Sequence, residues 1–182
     1  MGVLEAIRTR RSIRKYKSDP VDDKTLETVL EAARQAPSWA NTQCWRFVVV
    51  RNAETKGKLS DTLSETNSAR DAVRNAPIVI VACAEMEKAG YKGGQVTTDK
   101  GDWFMFDVAL AMHNLVLAAH DVGLGTVYVG LFDAKKAAGI LSVPGGYCVV
   151  AITPLGYPDE IKEPRPRKEL GEIVHYDKWN DK

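Results

Sequence analysis

The sequence predicts an α+β fold, arranged as a three-layer αβα sandwich. Three observations carry this. Helical patterns come first, and strands and helices mix afterwards. Ile78 to Ala84 (IVIVACA) is an unbroken apolar run, as in a strand buried on both faces. Asp102 to Val122 (DWFMFDVALAMHNLVLAAHDV) is apolar around most of its circumference. A helix of that kind sits in the middle of a protein or in an oligomer interface. The length, 182 residues, fits one domain, and a hydrophobic share of 45% is enough for a real core. Strand order does not follow from this pattern.

Residues 2–9 read as a short helix that leads into a basic run. Asp22 is placed to N-cap the second helix, with Val21 and Leu26 as a hydrophobic staple. Leu26, Val29, Leu30 and Ala33 follow at helical spacing, and Pro37 stops the pattern. A polar loop precedes a β-rich run from Trp45 to Arg51. Residues 54–75 read as two short helices, and Ile78 opens the apolar strand. Residues 85–101 (EMEKAGYKGGQVTTDKG) read as a stretch without regular structure, either a functional lid or a surface excursion. Gly123 is placed as the C′ residue of the long helix. Thr126 to Phe132 reads as a strand, Asp133 to Leu141 as a helix and Tyr147 to Leu155 as a strand. The tail from Gly156 carries three prolines and an amphipathic piece, LGEIVHYDKW. It has too little apolar content for a core of its own, so it is expected to lie across something else, such as a partner subunit.

Charge narrows the function classes. Lys plus Arg is 25 and Asp plus Glu is 24, a net +1 that argues against a dedicated nucleic-acid binder. The charge is unevenly spread. Arg8 to Lys17 (RTRRSIRKYK) holds six Lys or Arg and no acid. Three scattered cysteines make neither a disulfide framework nor a CxxC zinc site. MGVLEAIRTRR lacks the apolar stretch of a signal peptide, and no apolar run approaches the roughly 20 residues needed to cross a bilayer. A cytoplasmic protein with reduced thiols is the expectation.

Several chemistries can be set aside on spacing. Gly123-Leu-Gly125-Thr-Val-Tyr-Val-Gly130 has the look of a dinucleotide fingerprint. Its glycines, however, follow a helix and open a strand, the reverse of what that motif requires. His113 and His120 are seven apart, whereas a helical metal pair usually stands at i, i+4. No GxSxG elbow is present, and Cys83 lies inside the apolar strand. With no evident protein nucleophile, an enzyme on this chain would rely on a bound cofactor. Arg10, Arg11 and Arg14 flank Ser12, and guanidinium groups with a hydroxyl suit a phosphate. Arg165-Pro-Arg167-Lys168 is a second basic group, able to converge on the same anion. Solvated charge patches or an RNA-binding arm remain alternatives here, the latter without an aromatic stacking pattern beside it.

Five segments, in order, together resemble the flavin-dependent nitroreductase family. They are Arg10-Arg11-Ser12-Ile13-Arg14-Lys15-Tyr16, then Ala36 to Phe47 (APSWANTQCWRF), then the helix with Asp107, Ala111, Asn114-Leu115 and Leu117-Ala118-Ala119 that ends in Gly123-Leu-Gly125-Thr126. Gly130-Leu131-Phe132-Asp133 and Leu155-Gly156-Tyr157-Pro158, with the Arg167-Lys168 tail, complete the series. The resemblance implies a nitroreductase-like, domain-swapped homodimer, with residues 1–182 as one FMN-binding domain and 156–182 as an arm across the partner. It implies FMN at the interface, NADH or NADPH as electron donor, and a small planar acceptor such as a nitroaromatic or quinone, with no nucleic acid and no membrane involved.

Carried over residue by residue, Arg10, Arg11, Ser12 and Arg14 would hold the phosphate and ribityl end or the pyrimidine edge, joined at the phosphate by Arg165 and Arg167. Pro37, Ser38, Trp39 and Asn41 would line the isoalloxazine from the other subunit. Backbone at Gly130 and Leu131 would offer an N–H toward flavin N5, the atom that carries the chemistry in place of a protein catalytic residue. A cation such as Arg14 would stabilise the negative charge that builds toward N1. A non-catalytic flavin-binding or regulatory protein on the same scaffold is the alternative. Cys44 stands where the family usually has Pro, which implies a less rigid turn before Trp45.

Overall fold

The computed structural model describes residues 1–160 and 162–179. In chain order the elements are α1 (Val3–Thr9), α2 (Asp23–Arg34), a 3-10 turn (Trp39–Asn41), β1 (Trp45–Val50), α3 (Ala53–Ser60), α4 (Arg70–Asn75) and β2 (Ile78–Glu85). A hairpin of β3 (Tyr91–Lys92) and β4 (Gln95–Val96) follows, then α5 (Phe104–Asp121), β5 (Gly125–Thr126), α6 (Ala134–Ile140), β6 (Tyr147–Gly156) and α7 (Leu170–Ile173).

The main sheet runs β1-β2-β6-β5, and every pair in it is antiparallel. β2 lies inside the sheet and shows why its sequence is apolar throughout. Val79, Val81 and Cys83 face one layer, with Leu59, Leu63, Val73 and Ala137 of the α3, α4 and α6 region. Ile78 and Ile80 face the other, with Val29 of α2 and Leu115 and Val116 of α5. Ala82 and Ala84 meet Trp45, Val108 and Met112 on that same side. The sheet is thus covered on both faces, which is the three-layer sandwich. Covering both faces removes the polar alternation an antiparallel strand usually shows.

The caps follow their chemistry. The Asp22 carboxylate accepts from the Thr25 N–H at 2.9 Å and starts α2. Gly123, at φ +83°, ends α5. Its N–H donates to the His120 carbonyl at 3.1 Å and that of Leu124 to the Ala119 carbonyl at 2.8 Å, a Schellman closure. The first of the fingerprint-like glycines therefore serves a helix end, and the second opens β5.

Three segments differ from expectation. Residues 85–101 are structured. Gly93 and Gly94, both at positive φ, turn β3 into β4. Trp103 Nε1 donates to Thr98 Oγ1 at 2.8 Å, and Asp102 accepts from the Glu87 N–H, so the hairpin is fastened at its base. Residues 126–132 do not form one strand. Only Gly125 and Thr126 join the ladder, and Val129 makes a single bridge to Ile152. The alternation is real, with Val127 and Val129 buried and Tyr128 exposed, but continuous pairing is not. Finally, the turn before Trp45 is pinned. Cys44 is fully buried, and its carbonyl accepts from Glu85 N–H at 2.8 Å.

The tail leaves the sheet after Gly156. Leu170, Ile173, Tyr176 and Trp179 are exposed along it. Residues 161 and 180–182 of the expected arm lie outside the described residues. No described helix is long and apolar enough to cross a membrane.

Candidate functional site

The basic run is held as an extended edge. After α1 the chain turns at Arg10, and Ser12 forms a parallel bridge to Thr126. The Ile13 N–H donates to the Thr126 carbonyl at 2.9 Å, and the Lys17 N–H to the Tyr157 carbonyl at 2.9 Å. Ile13 is buried against Gly125, where a Cβ would stand 2.8 Å from the Ile13 Cβ. Tyr16 donates its hydroxyl to the Ile13 carbonyl at 2.6 Å. Burial, then the nearby Glu160 carboxylate, raises the Tyr16 pKa, so that proton stays in place.

This edge forms one wall of a cleft of about 870 Å³. Arg10, Arg11, Ser12 and Arg14 come from the N-terminal run, and Arg165 and Arg167 from the tail. Both ends of the chain therefore meet at one cationic cavity. Arg8 and Lys162 add charge to it, and Glu163 subtracts some. The two ends are tied by Glu160, which accepts from the Arg14 N–H at 2.6 Å and pairs with Lys162 at 2.8 Å. Burial alone would raise the Glu160 pKa, but the bonds from Lys162 and Arg14 outweigh it and hold the carboxyl below its ordinary value.

The arginines are not equivalent. Arg11 donates to the carbonyls of Arg8 and Arg10 at 2.7 and 2.8 Å, closing the end of α1. Arg14 is bound loosely to the Ser12 carbonyl at 3.4 Å. The Nε atoms of Arg11 and Arg14 are buried and lack a hydrogen-bond partner. Buried donors left this way are costly. The field extends outward. Burial, then Arg10 and Arg11, lowers the His120 pKa, and burial raises that of Tyr128 to about 12 against the opposing charge of Arg10.

The remaining expected residues lie elsewhere on this chain. Gly130 lines a second, apolar groove of about 540 Å³ with Met105, Phe106, His113 and Tyr128. Leu131 is 75% exposed, and its carbonyl accepts from Asn67 Nδ2 at 3.2 Å. Pro37, Ser38, Trp39 and Asn41 line neither cleft. Their loop is tightly built. Ser38 Oγ accepts from the Gln43 N–H at 3.0 Å, and Asn41 Oδ1 from Gln43 Nε2 at 3.1 Å. One chain thus brings together the residues expected at the phosphate and leaves those expected at the ring apart from them.

Sequence reading missed Glu160, Lys162 and Asn67. Lys162 was accessible as part of the tail charge, but Glu160 and Asn67 carry no local signal. The oxygens of Asp107, on the same helix as His113 and His120, accept from the Trp39 N–H at 3.0 and 3.1 Å. Among the described residues, no group of three His, Cys, Asp or Glu is placed to hold a metal.

A model of the nitroreductase family matches residues 7–74 and 60–157. The chain belongs to the nitroreductase family. It is 33% identical over 190 residues to an NADH dehydrogenase of Thermus thermophilus, covering 91% of each chain. It is 32% identical over 186 residues to the 5,6-dimethylbenzimidazole synthase of Rhodospirillum rubrum, covering 92% of this chain and 87% of that one. Among solved structures it is similar to an FMN-dependent nitroreductase of Clostridium difficile R20291. That match has a TM-score of 0.81 and 28% identity, over 97% of this chain and 99% of the other. Such family members differ in named activity, so the family alone does not choose the acceptor.

Proposed function

We propose that this nitroreductase-family chain is an FMN-dependent oxidoreductase that passes two electrons from NADH or NADPH to a small planar acceptor, such as a nitroaromatic or quinone. The observation that carries this is the meeting of both basic groups at one cleft. A phosphate monoester fits that donor set. The relatives named for NADH and for FMN supply the electron donor and the cofactor.

Arg10, Ser12, Arg14, Arg165 and Arg167 would grip the phosphate. Arg11 would contribute mainly by fixing the end of α1, since its guanidinium is bonded to Arg8 and Arg10. When bound, FMN supplies hydride acceptance and donation. The chain's own task is to bind, orient and shield it. Backbone N–H groups at Gly130 and Leu131, on a loop tethered by Asn67, would orient the reacting edge.

Pro37, Ser38, Trp39 and Asn41 would line the ring from a second subunit. Two features support a homodimer in which each chain is one FMN-binding domain and residues 156–182 reach across. Met105, Phe106 and Tyr128 expose an apolar surface around the α5 groove, and the tail exposes Leu170, Ile173, Tyr176 and Trp179. A second copy of the chain would cover both.

The test is a visible spectrum of the purified protein, then anaerobic reduction by NADH and by NADPH, then an acceptor screen. A flavin band bleached by one nicotinamide and restored by an acceptor is expected. Failure to take up FMN on titration overturns the reading. Flavin binding without nicotinamide oxidation points to a non-catalytic flavin protein on the same scaffold.

A further inference from the structure

Asp107 is fully buried in the first turn of α5, yet it does not serve α5. Among the described residues, every hydrogen bond its carboxylate receives comes from one short segment. The Trp39 N–H donates to both carboxylate oxygens, at 3.0 and 3.1 Å. Thr42 Oγ1 donates at 3.3 Å, and the Cys44 thiol at 3.8 Å. Among the described residues no cation forms an ion pair with it. Its compensation is this set of donors together with the positive end of the α5 dipole.

The segment it holds is unusual. Ala40, Asn41 and Gln43 have φ of +44°, +58° and +47°, in the left-handed region that residues with a Cβ avoid. Left-handed residues so close together persist only where surroundings over-determine them. Ser38 Oγ and the Asn41 side chain brace the loop internally. Asp107 ties it to α5, 68 residues away in sequence from Trp39, while the Cys44 carbonyl, accepting from the Glu85 N–H, ties its far end to β2.

We infer that Asp107 is a positioning residue: a buried carboxylate that locks residues 39–44 in a strained conformation, and so sets the ring-binding end of the flavin site independently of the phosphate cleft. This rests on the flavin reading above. The phosphate cleft shares no residue with the clamp, so the two ends are separable.

The probes are riboflavin, which has the ring but no phosphate, and FMN, which has both. The variants are Asp107→Leu, which removes the acceptors at similar volume, Asp107→Asn, which keeps one, and Thr42→Val, a mild change that spares the buried carboxylate. Amide hydrogen exchange at Trp39, measured without flavin, reads the clamp directly. In Asp107→Leu that amide should exchange at least about tenfold faster, and riboflavin affinity should fall about tenfold. Asp107→Asn should recover part of both, and Thr42→Val should weaken riboflavin about two- to threefold. The ratio of FMN to riboflavin affinity, set by the phosphate end, should hold constant, while visible circular dichroism of the bound flavin changes.

A Trp39 amide that stays protected in Asp107→Leu overturns the clamp, whatever the flavin does. A released amide with unchanged riboflavin affinity and dichroism overturns the positioning role. If Asp107→Leu does not fold, unchanged loop exchange and riboflavin affinity in Thr42→Val overturn the assignment. Wild-type protein that binds neither flavin overturns the functional reading itself, and the Trp39 exchange result tells that failure apart from a failure of the clamp.

Discussion

Gly125→Ala is the sharpest test of how the basic run is seated. An added Cβ would stand 2.8 Å from the Ile13 Cβ and 2.9 Å from both Cγ atoms. Comfortable carbon contacts lie at about 3.5–4.0 Å, so the overlap is roughly 0.7 Å on three atoms at once. The obstacle includes a β-carbon fixed to backbone, and that backbone is bonded to Thr126 at 2.9 Å. A rotamer change cannot clear it. Either the Ile13 strand lifts from the β5 edge or the β5–β6 ladder opens. Overpacking of this kind costs about 1–3 kcal/mol. For a chain this size that is a Tm lower by about 4–8 °C at the middle of that range. Lifting the strand also moves Ser12 and Arg14, so phosphate affinity should fall with stability. Urea unfolding and FMN titration measure the two effects. Ile13→Ala in the same chain removes the two Cγ contacts and should recover part of each loss. Gly125→Ala with unchanged unfolding midpoint and unchanged FMN affinity would refute the seating of this edge.

Other expectations can be checked with single variants. Arg10→Glu should weaken FMN retention by at least about tenfold, since it reverses a charge lining the cationic cleft, and equilibrium dialysis reads this. The His120 ring is held below its ordinary pKa by burial, Arg10 and Arg11. Inorganic phosphate should neutralise those arginines and move its NMR titration upward; a static titration would detach the anion from this cleft. Glu160 has a folded pKa below its ordinary value of 4.5, so its contribution is present above that value and is lost as pH falls through the lower, folded value. Acid unfolding should therefore shift to higher pH in Lys162→Met, which removes one of the bonds that depress it. Asn67→Ala frees the Leu131 carbonyl and should lower kcat several-fold with FMN affinity unchanged. Equal loss in both would show that the change spreads beyond the 130–131 loop.

Much of the fold was legible because its signals are local. The staple and cap at Val21, Asp22 and Leu26, the two-sided apolar run of β2 and the glycine end of α5 each rest on neighbours in sequence. The errors have physical causes. Gly93-Gly94 is itself a hairpin signal, but the charged residues around it hid a hairpin whose fasteners, Trp103 and Asp102, lie further along the chain. Thr126 to Phe132 has the alternation of a strand but lacks a partner for most of its length, and partners are tertiary facts. The cationic half of the site was readable as charge. Its brackets were not, because Glu160 meets Arg14 across 146 residues and Asp107 meets Trp39 across 68. A lone acidic residue in sequence gives no sign of such an appointment.

The meeting of two distant basic segments also has a consequence for the order of events during synthesis. Arg10 and Arg14 are made long before Arg165 and Arg167, and the strands of the main sheet are complete by Gly156. The sheet can therefore form while one wall of the cleft is still missing. A chain clipped soon after Gly156 would keep the sandwich and lose the second cationic group, so folding of the core and completion of the cleft are separate events.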